Sequence, residues 1–216
     1  DPKHVAISLN GEPTLYTRLG EYMDLCHKHG MTTMLVTNGT LPKVLENLDT
    51  LPTQLYVSVD APNKQVFDDV CRPKWNSGAW DQFEKTIDLL PSLDTRIVCR
   101  HTLMKGVNMS STHIKEFAEL DNRADPDFIE AKGYVYVGHS RENLSMENMP
   151  SHDDILSFSN ELAPQVNREV LSESRPSRVA LIGREIVPIP IPEAELYFPE
   201  DLGIAPPVKK LPLVQS

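Results

Sequence analysis

At 216 residues, 40% hydrophobic and 24% charged, the chain has the size and composition of one globular domain or of part of a larger barrel. No apolar run approaches the roughly 18 residues that cross a bilayer, and no leader-like segment opens the chain, so no membrane partner is expected. The net charge of −10 disfavours a nucleic-acid partner unless positive charge is gathered locally, and Cys26, Cys71 and Cys99 form no CxxC-type ligand set. They read as reduced, buried thiols of a cytoplasmic protein.

In chain order, short apolar, β-branched runs predict strands over 4–9, 32–37, 54–60, 96–103 and 128–135. Helical periodicity predicts helices over 15–29, 41–48, 80–90, 111–120 and 152–163. Gly30 fits a left-handed helix terminus, and Thr112, Ser151 and Asp153 suit N-caps. His27 and His29 are expected to interact with the dipole of the helix they end. This alternation makes βαβ units, hence an α/β fold: an incomplete or open barrel of five sequential parallel strands over residues 1–187. From Pro188 onward lie seven of the chain's 18 prolines, which predicts an extended Pro-rich tail over 188–216.

Parallel α/β folds place their chemistry at the carboxyl ends of the strands. Glycine-flanked polar residues recur there: Gly11-Glu12-Pro13, Asn38-Gly39, Ser58 and Asp60, Arg100 and Lys105, then Lys132-Gly133-Tyr134 and Arg141. With Arg72 and Lys74, the cations among them predict a continuous positive patch able to hold an anionic substrate. Asn38-Gly39 also reads as plain turn chemistry, and Ser58 and Asp60 as caps. A lysine within an apolar strand is costly to bury alone, so Lys132 is either paired with a carboxylate or used.

The words "HVAISLNGEPTLYTRLGEYMDLCHKHGMTTMLVTNGTLP", "LPTQLYVSVDAP", "RHTLMKG", "DPDFIEAKGYVYVG" and "LSMENMPSHDDI", in this order, resemble the tRNA 4-demethylwyosine synthases, radical S-adenosylmethionine enzymes of wybutosine biosynthesis. The likeness spans about residues 3 to 187. It implies a radical SAM barrel that joins two carbons of pyruvate to N1-methylguanosine in phenylalanine tRNA. It also implies a [4Fe-4S] cluster that cleaves S-adenosylmethionine, yielding a 5′-deoxyadenosyl radical that takes hydrogen from the substrate methyl. Carried over by position, Gly11, Glu12 and Pro13 would hold the cofactor's amino group, and Asn38, Ser58 and Asp60 its methionine and ribose. Gly133 and Tyr134 would flank the adenine or substrates, Lys132 and Lys105 are the candidate catalytic lysines, and Arg100 and Arg141 would bind carboxylate or phosphate.

The family's CxxxCxxC cluster motif does not occur here, so no metal ligand is expected within this chain, which is expected to be part of a longer protein and inert alone. Two other readings stay open: an aldolase-like lyase using Lys132 as Schiff-base former, and a non-catalytic RNA-binding or scaffold protein.

Overall fold

The computed structural model describes residues 2–8, 11–73 and 78–195. Five strands, β1 (His4–Ile7), β2 (Thr32–Thr37), β3 (Gln54–Ser58), β4 (Arg96–Leu103) and β5 (Phe128–Gly133), pair in parallel in sequence order. The expected strands 4–9, 54–60 and 128–135 are therefore shorter at their carboxyl ends. The helices between them are α1 (Leu19–Lys28), α2 (Pro42–Glu46), α3 (Lys64–Cys71), α4 (Ala79–Leu89) and α5 (Ser111–Ala124), and α6 (His152–Leu162) comes after β5. An antiparallel pair follows, β6 (Glu169–Ser174) and β7 (Val179–Gly183), in which β7 adds to β5 and β6 forms the edge. The sheet is thus an open, mostly parallel α/β sheet. Neither α3 nor this hairpin was expected.

Local rules explain the helices. In α1, Leu19, Met23 and Cys26 recur at helical spacing and are buried, and Gly30 at φ +69° ends the helix with its N–H on the His27 carbonyl. Ser110, not Thr112, caps α5 by accepting from the His113 N–H. Ser151 caps α6 in a reciprocal pair with Asp154, while Asp153 lies in the helix's first turn. His27 serves its fold differently from expectation: its Nε2 bonds the hydroxyls of Thr33 (2.8 Å) and Thr53 (3.3 Å), and burial lowers its basicity.

The alternation of each strand sorts residues between two faces. Leu35, Leu55, Val57, Cys99, Ile129 and Ala131 join the helix-covered core, whose largest enclosed side chains include Phe83 and Phe117. Burying each such side chain is worth roughly 1.5–3 kcal/mol. The other face carries Tyr56, Ser58, Arg100, Thr102, Glu130 and Lys132, all half-buried. Cys26 and Cys99 are buried as expected; Cys71, at the end of α3, is exposed.

At the amino ends of the strands, the chain after β7 returns across the sheet. The Val187 carbonyl accepts from Arg96, the Glu195 N–H donates to the Lys28 carbonyl, and Ala194 packs against Gly30. The first residues of the Pro-rich segment therefore lie against the domain, and 196–216 fall outside the described residues.

Candidate functional site

Because β1 to β5 run parallel, their carboxyl ends share one rim, and backbone contacts stitch it together. The Val59 N–H donates to the Arg100 carbonyl and the Tyr134 N–H to the Leu103 carbonyl. Buried Asn108 bridges the β3 and β4 exits: Nδ2 donates to the carbonyls of Asp60 and Thr102, while Oδ1 accepts from the Met104 N–H. Both ends of the fully buried Asn108 amide are thereby satisfied, which ties the two exits together.

The β1 and β2 exits meet at Glu12. Its Oε1 accepts from the Thr14 N–H (3.1 Å) and from the hydroxyls of Thr14 and Thr37 (both 2.7 Å). Its Oε2 accepts from the Asn38 N–H (2.8 Å). Gly11 sits at φ +77° with open space where a side chain would project, and Pro13 begins a 3-10 turn whose N-cap is Glu12. Asn38 folds its own side chain back onto Thr40, so the turn reading of Asn38-Gly39 describes its side chain. Gly39, at φ +69°, lies 3.2–3.4 Å from Val57, Phe83 and Thr86 at its virtual Cβ.

On the β3–β5 side the rim opens into a cavity of about 360 Å³ lined by Asp60, Arg72, Thr102, Tyr134, Ser140 and Asn143, among others. Asp60 Oδ1 is buried and accepts no hydrogen bond among the described residues. Burial pushes the Asp60 carboxyl above the usual range, with the Thr102 hydroxyl and N–H pulling the other way. An unpartnered acceptor in a cavity wall suits a ligand hydroxyl or amine. Tyr134 is buried and donates to Ser140 Oγ (2.7 Å), which donates to the Val137 carbonyl (2.6 Å), so the β5 exit is held as a wall. Gly133 has Pro150 and Arg178 at 3.3 Å from its virtual Cβ, so a side chain there would have to push one of them aside.

Arg100 lies on the polar sheet face. Its Nε donates to Glu130 Oε1 (2.9 Å), and its guanidinium stacks 4.8 Å from the Tyr56 ring. Lys132 shares this face one pair further toward the rim, opposite Thr102, and its side chain makes no ion pair or hydrogen bond among the described residues. Ser58, register partner of Arg100, completes the row.

Among the described residues the expected continuous positive patch does not form. Arg100 is neutralised by Glu130, and Lys105 lies in a separate cleft of about 390 Å³ between α5 and α6, pairing with Asp154 at 3.3 Å. The chain turns outward after β4, so Lys105 and Lys132 do not face one site. Arg141 stays near the rim, its guanidinium 5.2 Å from the Tyr136 ring. Arg72 lines the cavity at the left-handed end of α3, and Lys74 lies outside the described residues, as does Asn10. Sequence reasoning missed Thr37, Thr102 and Asn108, whose roles depend on which loops meet across the rim.

For an iron–sulfur cluster, the three cysteines stand on separate elements, and no group of three or more metal-ligating side chains occurs among the described residues. These residues do not fit a cluster. The rim does offer two hydrogen-bond acceptors with open sites, Glu12 Oε2 beside the uncrowded Gly11 turn and the unpartnered Asp60 Oδ1 in the cavity wall.

Residues 1–119 match the family model described as the radical SAM superfamily, and residues 123–184 the model described as wyosine base formation. A S-adenosyl-L-methionine-dependent tRNA 4-demethylwyosine synthase from Pyrococcus abyssi is 45% identical over 191 residues, covering 87% of this chain and 55% of the relative. A mouse enzyme of the same description is 37% identical, covering 85% of this chain and 25% of its own. A solved structure described as TYW1 with a lysine–pyruvate adduct bound superposes with TM-score 0.76 at 40% identity, covering 85% of this chain and 57% of that one. A domain of a pyruvate-formate lyase-activating enzyme, at 18% identity and TM-score 0.55, shares the fold. The chain spans about half the length of the first two archaeal curated relatives it matches.

Proposed function

The chain belongs to the radical SAM superfamily, and from that premise we propose that it forms the greater part of the barrel of a tRNA-modifying enzyme making 4-demethylwyosine from N1-methylguanosine and pyruvate. One observation carries this reading: a wyosine-forming relative is 45% identical over 87% of this chain, and the wyosine base formation model matches residues 123–184, which include the β5 exit. The mouth residues then divide the work. The Gly11-Glu12-Pro13 turn receives the amino group of S-adenosylmethionine, which supplies a carbon-centred radical in this superfamily. Asp60 accepts from its ribose, and Tyr134 with Gly133 closes the wall beside the base. Lys132 and the outer nitrogens of Arg100 offer cationic donors on the polar face for a small carboxylate such as pyruvate. Arg141 on the rim is placed for RNA phosphate. The lysine–pyruvate adduct of the solved relative supports a reaction in which a lysine and pyruvate meet, so lysine chemistry and radical chemistry need not be rivals.

The test uses the complete, cluster-loaded protein with N1-methylguanosine-containing phenylalanine tRNA, pyruvate and S-adenosylmethionine. Nucleoside mass spectrometry should show the tricyclic base. Cleavage of S-adenosylmethionine with the tRNA left unchanged would overturn the assignment of substrate.

A further inference from the structure

Glu12 is not free to turn. Three donors converge on Oε1, from the Thr14 N–H and the hydroxyls of Thr14 and Thr37, while Oε2 receives the Asn38 N–H alone. A carboxylate oxygen has about two lone-pair sites, so Oε1 is filled and Oε2 keeps one open. Thr14 and Thr37 are both buried, at 3% and 2% exposure, so their side chains have little solvent to compete with Glu12.

The Thr37 hydroxyl has a fixed direction. The Gly39 N–H donates to Thr37 Oγ1 at 3.1 Å, so the hydroxyl proton is left for Glu12. A one-way chain runs from the Gly39 amide through Thr37 to Glu12, drawing together the exits of β1 and β2.

We propose that Thr37 is a positioning residue for the amino-group end of the nucleoside ligand. It acts through Glu12, pinning Oε1 so that Oε2, with one acceptor site left beside the Gly11 turn, can accept a charge-assisted bond from an ammonium. This rests on the proposed function, since it takes the ligand to be S-adenosylmethionine. Thr14 shares the role from the other loop.

The experiment compares two probes on the complete, cluster-loaded protein by calorimetry: S-adenosylmethionine, and 5′-methylthioadenosine, which lacks the amino-acid arm. Thr37→Val keeps the shape and removes the donor. It should weaken S-adenosylmethionine about five- to tenfold, an indirect fraction of a charged hydrogen bond, and leave methylthioadenosine within about twofold. Thr37→Ser should restore most of the loss, and Thr14→Val should repeat the selective effect if Thr37→Val folds poorly. Combined with Glu12→Gln, Thr37→Val should add little further loss, because both disable one acceptor. Equal weakening of both probes would mean general disturbance of the rim and overturn the role. So would unchanged binding by Thr37→Val beside a severe loss in Glu12→Gln. Failure of the unsubstituted protein to bind S-adenosylmethionine would overturn the functional reading as well as this one.

Discussion

The Arg100 guanidinium and the Glu130 carboxylate face each other across the β4–β5 register on the polar side of the sheet, 2.9 Å apart, with Tyr56 stacked on the guanidinium. The pair lies largely out of water, at 24% and 15% side-chain exposure. Glu130 and Arg100 act in opposite directions on Tyr56, yet burial dominates and raises its hydroxyl above the ordinary range. Breaking such a pair leaves a half-buried charge unmatched. Arg100→Ala is expected to lose about 2 kcal/mol in urea unfolding. Arg100→Lys should recover part of this, since it keeps the charge but not the stacking plane or the directed Nε. A loss of stability from Arg100→Lys as large as from Arg100→Ala would show that shape, not charge, decides the site.

Gly39 is held at φ +69° with Val57, Phe83 and Thr86 crowding the place of a side chain, and its carbonyl accepts from the Thr86 hydroxyl at 2.6 Å. Gly39→Ala therefore meets both an unfavourable backbone and a packed wall. The expected cost is about 2 kcal/mol or more. Gly106→Ala is the control, because Gly106 has a similar φ of +75° but no neighbour within 4 Å. The difference between the two melting shifts isolates the packing part.

Much of this fold was legible in the sequence because the five parallel strands are buried on the helix side and so read as short apolar runs. The hairpin was not, for β6 is an exposed edge strand, Glu-Val-Leu-Ser-Glu-Ser, whose polarity comes from lacking a second neighbour. Its partner Val-Ala-Leu-Ile-Gly does carry an apolar signal, but in a run of only five residues beside that polar edge strand. Helix α3 carried its signs too: Asn63 accepts from the Val66 N–H as N-cap, and Val66 and Phe67 supply a buried face. In the mouth, residue types pointed to Glu12, Asp60, Lys132 and Arg100. What the sequence could not show is pairing across loops: that Lys105 turns away to Asp154, that Glu130 claims Arg100, and that Asn108 ties two exits together.

Asp60 makes a pH-dependent prediction. Its folded-state carboxyl is raised by burial, so the native protein holds this proton more tightly than the unfolded chain does. Below the unfolded value of about 3.9 both states are protonated and the group costs nothing. As pH rises from there toward the raised folded value, the unfolded state ionises first and native stability falls. Asp60→Asn removes this dependence. Relative to the parent protein it should therefore be more stabilising at pH 7 than at pH 4 in denaturant titrations, while weakening ligand binding in the cavity. A stability difference that does not change with pH would mean that water or a neighbour solvates the carboxylate in the native state.

The last prediction concerns the β5 exit. Val135, Val137 and Met146 are exposed beside the cavity wall, at 42%, 55% and 69%. The Arg141 guanidinium lies over the Tyr136 ring, with Nε donating to the Tyr136 carbonyl at 3.3 Å. On the proposed function this rim is a candidate path for an unpaired nucleotide: its apolar and aromatic surface suits a base and the remaining Arg141 donors suit a phosphate. For the complete protein, Arg141→Ala is expected to weaken tRNA binding and reduce the salt dependence by about 0.7–0.9 in logarithmic slope, the worth of one phosphate contact. Tyr136→Leu should weaken binding without that change in slope, because stacking releases no counterions. S-adenosylmethionine affinity should stay unchanged in both, since neither residue touches the glycine turn or Asp60. Filter binding across a salt series measures both quantities, and an Arg141→Ala slope equal to that of the parent protein would remove this rim from the RNA path.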